Sequence, residues 1–189
     1  MNDVERDIIK NAYYMISLFE NEKNNELSDI SKAGNAEEAS NKAIISNLKL
    51  QKLMYFVEAY YMNKYNDNSL YNSEWSAWNY GPVNMSLYNY YRKYGSVEIS
   101  LNENERNQIN DLPPKNIDCI KKVYDVLGQF SAFDLVTLTH LKGSPWYEIK
   151  ESNSYDFEKL NGSIIDKART KEWFMNIFGK SFDLVNDNE

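Results

Sequence analysis

Cysteine and histidine are nearly absent: Cys119 and His140 stand alone among 189 residues. A zinc site takes roughly three or four ligands, drawn mostly from these two types, so the chain is poorly equipped for one. A lone cysteine forms no intramolecular disulfide and fits a reducing compartment. Nucleophilic chemistry would have to pair Cys119 with His140. Cys119, however, falls mid-helix between Asp118 and Ile120, where cysteine ordinarily serves as a small hydrophobe. Glycine is scarce, 7 in all. None of the spacings G-x-x-x-x-G-K-[ST], G-x-G-x-x-G or G-x-S-x-G occurs, which argues against phosphate-cradling loops and a nucleophile elbow. No acidic pair stands out from solvated helix faces as a magnesium site.

Positive charge is also in deficit. Lys and Arg total 21 against 28 Asp and Glu, for a net charge of −7. Phosphate neutralisation supplies most nucleic-acid affinity, so this balance argues against DNA or RNA as a partner. The strongest helix offers only Lys49, Lys52 and Lys64, with Glu58 among them, which is weak for a recognition helix. No apolar run approaches the ~18 residues that span a bilayer. The opening MNDVERDIIK lacks the basic-then-apolar order of a signal peptide. The expectation is a soluble cytoplasmic protein with no cofactor, no metal and no membrane partner.

What the chain has is aromatic side chains: 15 Tyr, 8 Phe and 4 Trp. They concentrate between Leu48 and Gly95. There Leu50, Leu53, Met54, Val57 and Tyr61 form one helical stripe. Gln51, Tyr55, Glu58 and Met62 form a second, and Lys49, Lys52, Phe56 and Asn63 a third. A helix apolar on more than one face is central, packed by several neighbours. Ser46 or Asn47 can cap it, and Asn66–Asn68 should end it. Trp75 and Trp78 anchor the next stretch. Gly81-Pro82 reads as the opening of a helix with Pro in its first turn, and that helix carries Val83, Leu87, Tyr90, Tyr91 and Tyr94 on one face before Gly95. Its N-terminus at Gly81–Asn84 could meet an anion or simply a capping side chain.

The flanks read as further helices. Residues 2–20 place Ile8, Ala12, Met15 and Phe19 on one face, with Asn2 and Glu5 as a capping box. Residues 21–43 are polar and read as a solvated loop with a short helix at 36–44, or alternatively as a mobile flap or partner-binding segment. Val97-Glu98-Ile99 suits a short strand beside Trp75. A polar helix over 100–111 stops at Pro113-Pro114, followed by helices over 116–127 and from Ser131-Ala-Phe-Asp134 to Leu141. Ser144-Pro145 starts another turn. Ser163-Ile-Ile-Asp166 reads as a capping box for a last helix ending at Phe178-Gly179. The tail 181–189 is acidic and expected to fray. The whole predicts a mainly α, compact single-domain bundle of six or seven helices with at most a short β-hairpin, spanning residues 1–180.

Several of these motifs together resemble a known family. Leu48 to Phe56, LKLQKLMYF, is similar to the opening helix of the Panacea domain. Ala77 to Val83, AWNYGPV, resembles its AWxYGPV turn, and Tyr91 to Gly95, YRKYG, the end of the following helix. Leu138-Thr139-His140 and Pro145-Trp146 resemble its LTH and PW elements. The resemblance covers about residues 5–178, with residues 21–43 as an insertion relative to the compact form and Leu127-Gly128 in place of the usual Tyr-Gly. It implies an antitoxin of a bacterial or phage toxin–antitoxin pair, one that binds and neutralises a cognate toxin protein or delivers it to a protease. It implies no cofactor and no catalytic residue.

The motif positions are therefore candidates for structure or for partner binding: Lys49, Gln51, Lys52, Tyr55, Trp78, Tyr80, Gly81, Pro82, Thr139, His140, Pro145 and Trp146. Lys49, Lys52, Tyr55 and Tyr80 would form a polar-aromatic landing face. The tryptophans are either core fillers or interface anchors. A buried His140 would hydrogen-bond a carbonyl or a Tyr hydroxyl. A rival reading places an enzyme or small-ligand cleft among Tyr80, His140 and Trp146.

Overall fold

The computed structural model describes residues 3–33, 44–153 and 156–184. The capping box begun by Asn2, the short helix expected at 36–44 (save Ile44, which is not helical) and the end of the acidic tail lie outside them. Helix α1 runs Asp3–Ala33. Residues 21–33 thus continue the helix where a loop was expected. Apolar periodicity fades after Phe19, but polar side chains replace it as anchors. Arg106 pairs with Glu20, with Nη1 2.6 Å from Oε2. Lys23 pairs with Glu98 at 2.6 Å, and the Tyr124 hydroxyl donates to Glu22 at 2.6 Å.

Helix α2, Asn47–Lys64, is the axis of the molecule. Ser46 caps it, accepting from the backbone N–H of Lys49 at 3.3 Å. Every residue from Lys49 to Tyr60 is buried, as the three stripes demand. Around it pack α1, α3 (Met85–Tyr91, extended by a 3₁₀ turn Arg92–Tyr94), α5 (Pro114–Leu127), α6 (Ala132–Thr139) and α9 (Lys167–Phe178). Shorter helices complete the chain: α4 (Glu103–Asn107), α7 (Pro145–Ser152) and α8 (Phe157–Leu160). The one-turn pieces carry little periodic signal, so the sequence reads as fewer helices than form. Phe56 meets Trp173, Phe174 and Phe178 of α9 with ring centroids 5.4 to 6.2 Å apart. Phe182 of the expected frayed tail closes this cluster: it is 1% exposed and 5.2 Å from the Tyr60 ring. No helix among the described residues is long and apolar enough to cross a membrane.

Three short strands cap the N-terminal half of α2 in the order β2-β1-β3: β1 is Ser76–Trp78, β2 Gly81–Val83 and β3 Ser163–Ile164. The antiparallel register pairs Ser76 with Val83 and with Ile164. Three expectations change here. Pro82 lies in an edge strand rather than a first helical turn, a place proline tolerates because it has no N–H to donate. Val97–Ile99 is not a strand; the Ile99 N–H donates instead to Ile45 O at 2.9 Å. Ser163 joins the sheet, and Asp166 caps α9, accepting from the Arg169 N–H at 2.7 Å. The Ser131–Asp134 capping box forms as read, with both reciprocal bonds present.

Candidate functional site

The motif residues gather around the β1–β2 hairpin. Trp78 pairs with Gly81 across the turn, leaving Asn79 and Tyr80 at its tip. Gly81 closes the turn at φ +96°. No other residue fits: a Cβ here would lie 2.6 Å from Thr139 Oγ1 and 3.2 Å from Lys52 Nζ. Both neighbours are buried hydrogen-bonding groups. Thr139 Oγ1 donates to Val136 O at 2.8 Å. Lys52 Nζ donates to Pro82 O at 2.7 Å.

Lys52 is wholly buried, and burial draws its amine down from the ordinary lysine value to about 7. Gln51 works one residue earlier. Its Oε1 accepts the Asn84 N–H at 2.9 Å, while the Asn84 side chain accepts from Leu87 N and donates to Ser73 Oγ. The Asn84 and Leu87 N–H groups at the start of α3 are thus met by side chains of the protein itself, so of the two readings of this terminus the capping side chain is the one observed.

The PW and LTH elements close the other side. Pro145 opens α7, and Ser144 caps it by accepting from the Tyr147 N–H at 3.1 Å. Trp146, 2% exposed, donates its Nε1–H to Trp78 O at 2.7 Å. His140 stacks flat on the Trp146 ring, with centroids 3.4 Å apart and 6° between planes. Its Nε2 is buried with no hydrogen-bond partner among the described residues, so the carbonyl or Tyr hydroxyl bond expected there is not seen, and the ring is held by its face-on packing against Trp146. Burial, then the charges of Lys52 and Lys150, push His140 down to about 4, and it is neutral at ordinary pH.

Of the four residues read as a landing face, only Tyr80 reaches the surface. Lys49 is 3% exposed, with its amine 4.4 Å from the Phe19 ring centroid, and burial lowers it to about 8. Tyr55 is 2% exposed and shares a 3.0 Å hydrogen bond with Thr170 Oγ1. Tyr80 is not brought into one groove with His140 and Trp146 among the described residues. Tyr80 borders a groove of about 470 Å³ whose walls include Leu48, Trp78 and Tyr88, whereas His140 and Trp146 lie outside it. Cys119 is fully buried on α5, and burial pushes its thiol up to about 12, far from a ready thiolate.

The surface at this end is formed by residues that the motifs do not mark. Tyr80 is 60% exposed, and its ring meets Phe133 of α6, 66% exposed, edge to face with centroids 6.3 Å apart. Phe133 was missed because, inside its capping box, it reads as one more helical apolar residue. Arg92, Asn79 and Asn161 line the groove beside them and were also missed. A second unforeseen feature is internal. Glu58, 1% exposed, accepts from Ser69 Oγ at 2.9 Å, Tyr71 N at 3.2 Å, Lys167 Nζ at 3.0 Å and Trp75 Nε1. This buried carboxylate fixes the loop between α2 and β1. Its only sequence signal is an acid in a helix that is otherwise apolar all round.

A helical base, a hairpin pinned by buried side chains and an exposed aromatic tip define a scaffold that presents one rigid turn. The chain belongs to the antitoxin SocA-like, Panacea domain family, whose sequence model matches residues 50–147. It is similar to the antitoxin SocA of Caulobacter vibrioides (strain NA1000 / CB15N), with 32% identity over 110 residues, 54% of this chain and 58% of that protein. The chain therefore aligns with little more than half the length of that curated relative. No solved structure matches it.

Proposed function

We propose that the chain is the antitoxin of a bacterial or phage toxin–antitoxin pair, and that it neutralises a cognate toxin in the cytoplasm by direct protein–protein contact, without catalysing a reaction. The family match over residues 50–147, with a relative named as an antitoxin, carries this reading. The burial of the motif residues supports it. The family signature is absorbed in pinning a turn, which leaves an exposed aromatic pair, Tyr80 and Phe133, on rigid backbone. Aromatic side chains in that setting are the usual anchors of protein interfaces. The net charge of −7 suits a partner with a basic surface.

The test is co-expression with the product of the gene beside this one. Growth arrest by that product alone, relieved when this chain is present, is the expected result. A harmless product, or arrest that persists at equal expression, contradicts the proposal. Relief that requires a host protease marks delivery to that protease in place of simple masking.

A further inference from the structure

The groove beside Tyr80 has a composition unlike the rest of the surface. The protein carries net charge −7, yet among the described residues none that lines this groove is acidic and one, Arg92, is basic. Arg92 makes no ion pair among the described residues, while Arg106 and Arg169 both do. Asn79 and Asn161, also on the lining, are exposed. The walls are apolar: Trp78 and Tyr88 lean together with ring centroids 5.0 Å apart, and Leu48 lies opposite in sequence, at the start of α2.

The geometry points to this groove, with the Tyr80–Phe133 tip, as the seat for an extended segment of the neutralised partner that carries an aromatic or aliphatic side chain next to a carboxylate. This rests on the antitoxin reading and names the surface that performs it. The apolar side chain takes the space between Leu48, Trp78 and Tyr88. The carboxylate meets the Arg92 guanidinium, whose planar fork suits bidentate carboxylate recognition. The partner's backbone is within the chemistry of the Asn79 and Asn161 amides, which offer both donor and acceptor.

A protein segment is favoured over a small ligand because the apolar surface extends past the groove. Tyr80 and Phe133 stand 60% and 66% exposed; Tyr80 lines the groove but Phe133 does not, so a molecule confined to about 470 Å³ leaves Phe133 uncovered. A second copy of this chain is disfavoured by the repulsion of two net charges of −7.

The experiment uses the full chain and a catalytically inactivated form of the neighbouring gene's product. Dissociation constants and growth rescue are measured for wild type, Arg92→Glu, Tyr80→Ala with Phe133→Ala, and Lys180→Glu. The last reverses an exposed charge at the far end of α2, beside the Phe182–Tyr60 contact. Melting temperatures confirm that each variant folds. We expect Arg92→Glu and the double aromatic variant each to weaken binding by about tenfold or more and to lose rescue, with Lys180→Glu within about twofold of wild type. Wild-type rescue with undiminished binding by both groove variants overturns the inference and leaves the antitoxin reading intact. Absence of rescue and binding by wild type overturns both. A wild-type chain that is a dimer alone, and a monomer as Arg92→Glu, assigns the groove to self-association and also overturns the inference.

Discussion

Lys52 Nζ lies 2.7 Å from the carbonyl oxygen of Pro82, so an amine with no solvent exposure ties the central helix to the hairpin. The bond gives the edge strand a partner that proline's missing N–H cannot recruit. It also leaves an ionisable group where charge is penalised, and that has a consequence for pH. In the unfolded chain the amine titrates near 10.5; in the fold burial brings it to about 7. Between these values the unfolded chain holds the proton and the folded chain sheds it, so stability rises with pH. Below about pH 7 both states are protonated and the full burial penalty remains.

The melting temperature of the wild type is therefore expected to climb from pH 7 to pH 9, with a ceiling over that window of about 3 kcal/mol from this one residue. Lys49, lowered to about 8 by burial, contributes in the same direction. Lys52→Met should flatten most of the slope without abolishing it. His140, at about 4 in the fold against 6.5 unfolded, adds a separate rise between those two values. Thermal melts across a pH series of wild type and Lys52→Met, at constant ionic strength, test all three statements. A wild-type curve flat from pH 7 to 9 contradicts the two lysine statements, and one flat from pH 4 to 6.5 contradicts the histidine statement.

Gly81→Ala is expected to destabilise by roughly 2–3 kcal/mol, because it combines a left-handed backbone with a steric conflict. The two parts are separable. Thr139→Ala removes the oxygen that lies 2.6 Å from the new Cβ but leaves φ at +96°. Urea unfolding of the two single variants and the double should show partial, not complete, recovery in the double.

Trp146→Phe keeps most of the buried ring and deletes the 2.7 Å bond to Trp78 O. The expected loss is about 1–2 kcal/mol, close to the value of a buried hydrogen bond whose acceptor is left with less. Amide exchange should report it at the hairpin, where β1 and β2 lose the restraint, more than at α9.

Removing one partner of the Glu58 network is expected to cost more than any surface change. Glu58→Ala leaves the Lys167 amine, the Trp75 N–H and the Tyr71 N–H without their common acceptor, for about 3–5 kcal/mol. By contrast Tyr80→Ala and Phe133→Ala, at the exposed tip, should each stay within about 0.5 kcal/mol of wild type in chemical denaturation. A large stability loss at the tip would mean that these rings serve the fold.

The sequence made the central helix legible because three stripes of large side chains can be satisfied only by burial on all sides, as Lys49 to Tyr60 are. The capping box at Ser131 and the end of α9 at Gly179 were legible for the same local reasons. The sheet was not, since strands of two or three residues such as Gly81–Val83 are too short to show alternation, and Pro82 argues locally for a helix start. The polar run after Glu20 stayed helical through ion pairs with residues 98–106, partners that no local window contains. The site was half legible. Spacing drew attention to the right turn, but Lys49, Lys52 and Tyr55 read as surface groups when they are internal braces. Phe133 and Arg92 acquire meaning only once the fold places them beside Tyr80 or its groove.

Direct binding is the centre of this account, and titration calorimetry of the purified chain with the purified, inactivated product of the neighbouring gene addresses it without cellular intermediaries. The account predicts a saturable heat and a stoichiometric complex, weakened by Arg92→Glu. No heat and no co-elution at concentrations on the order of tens of micromolar, where a complex with a Kd of about 1 μM would be nearly saturated, would contradict it.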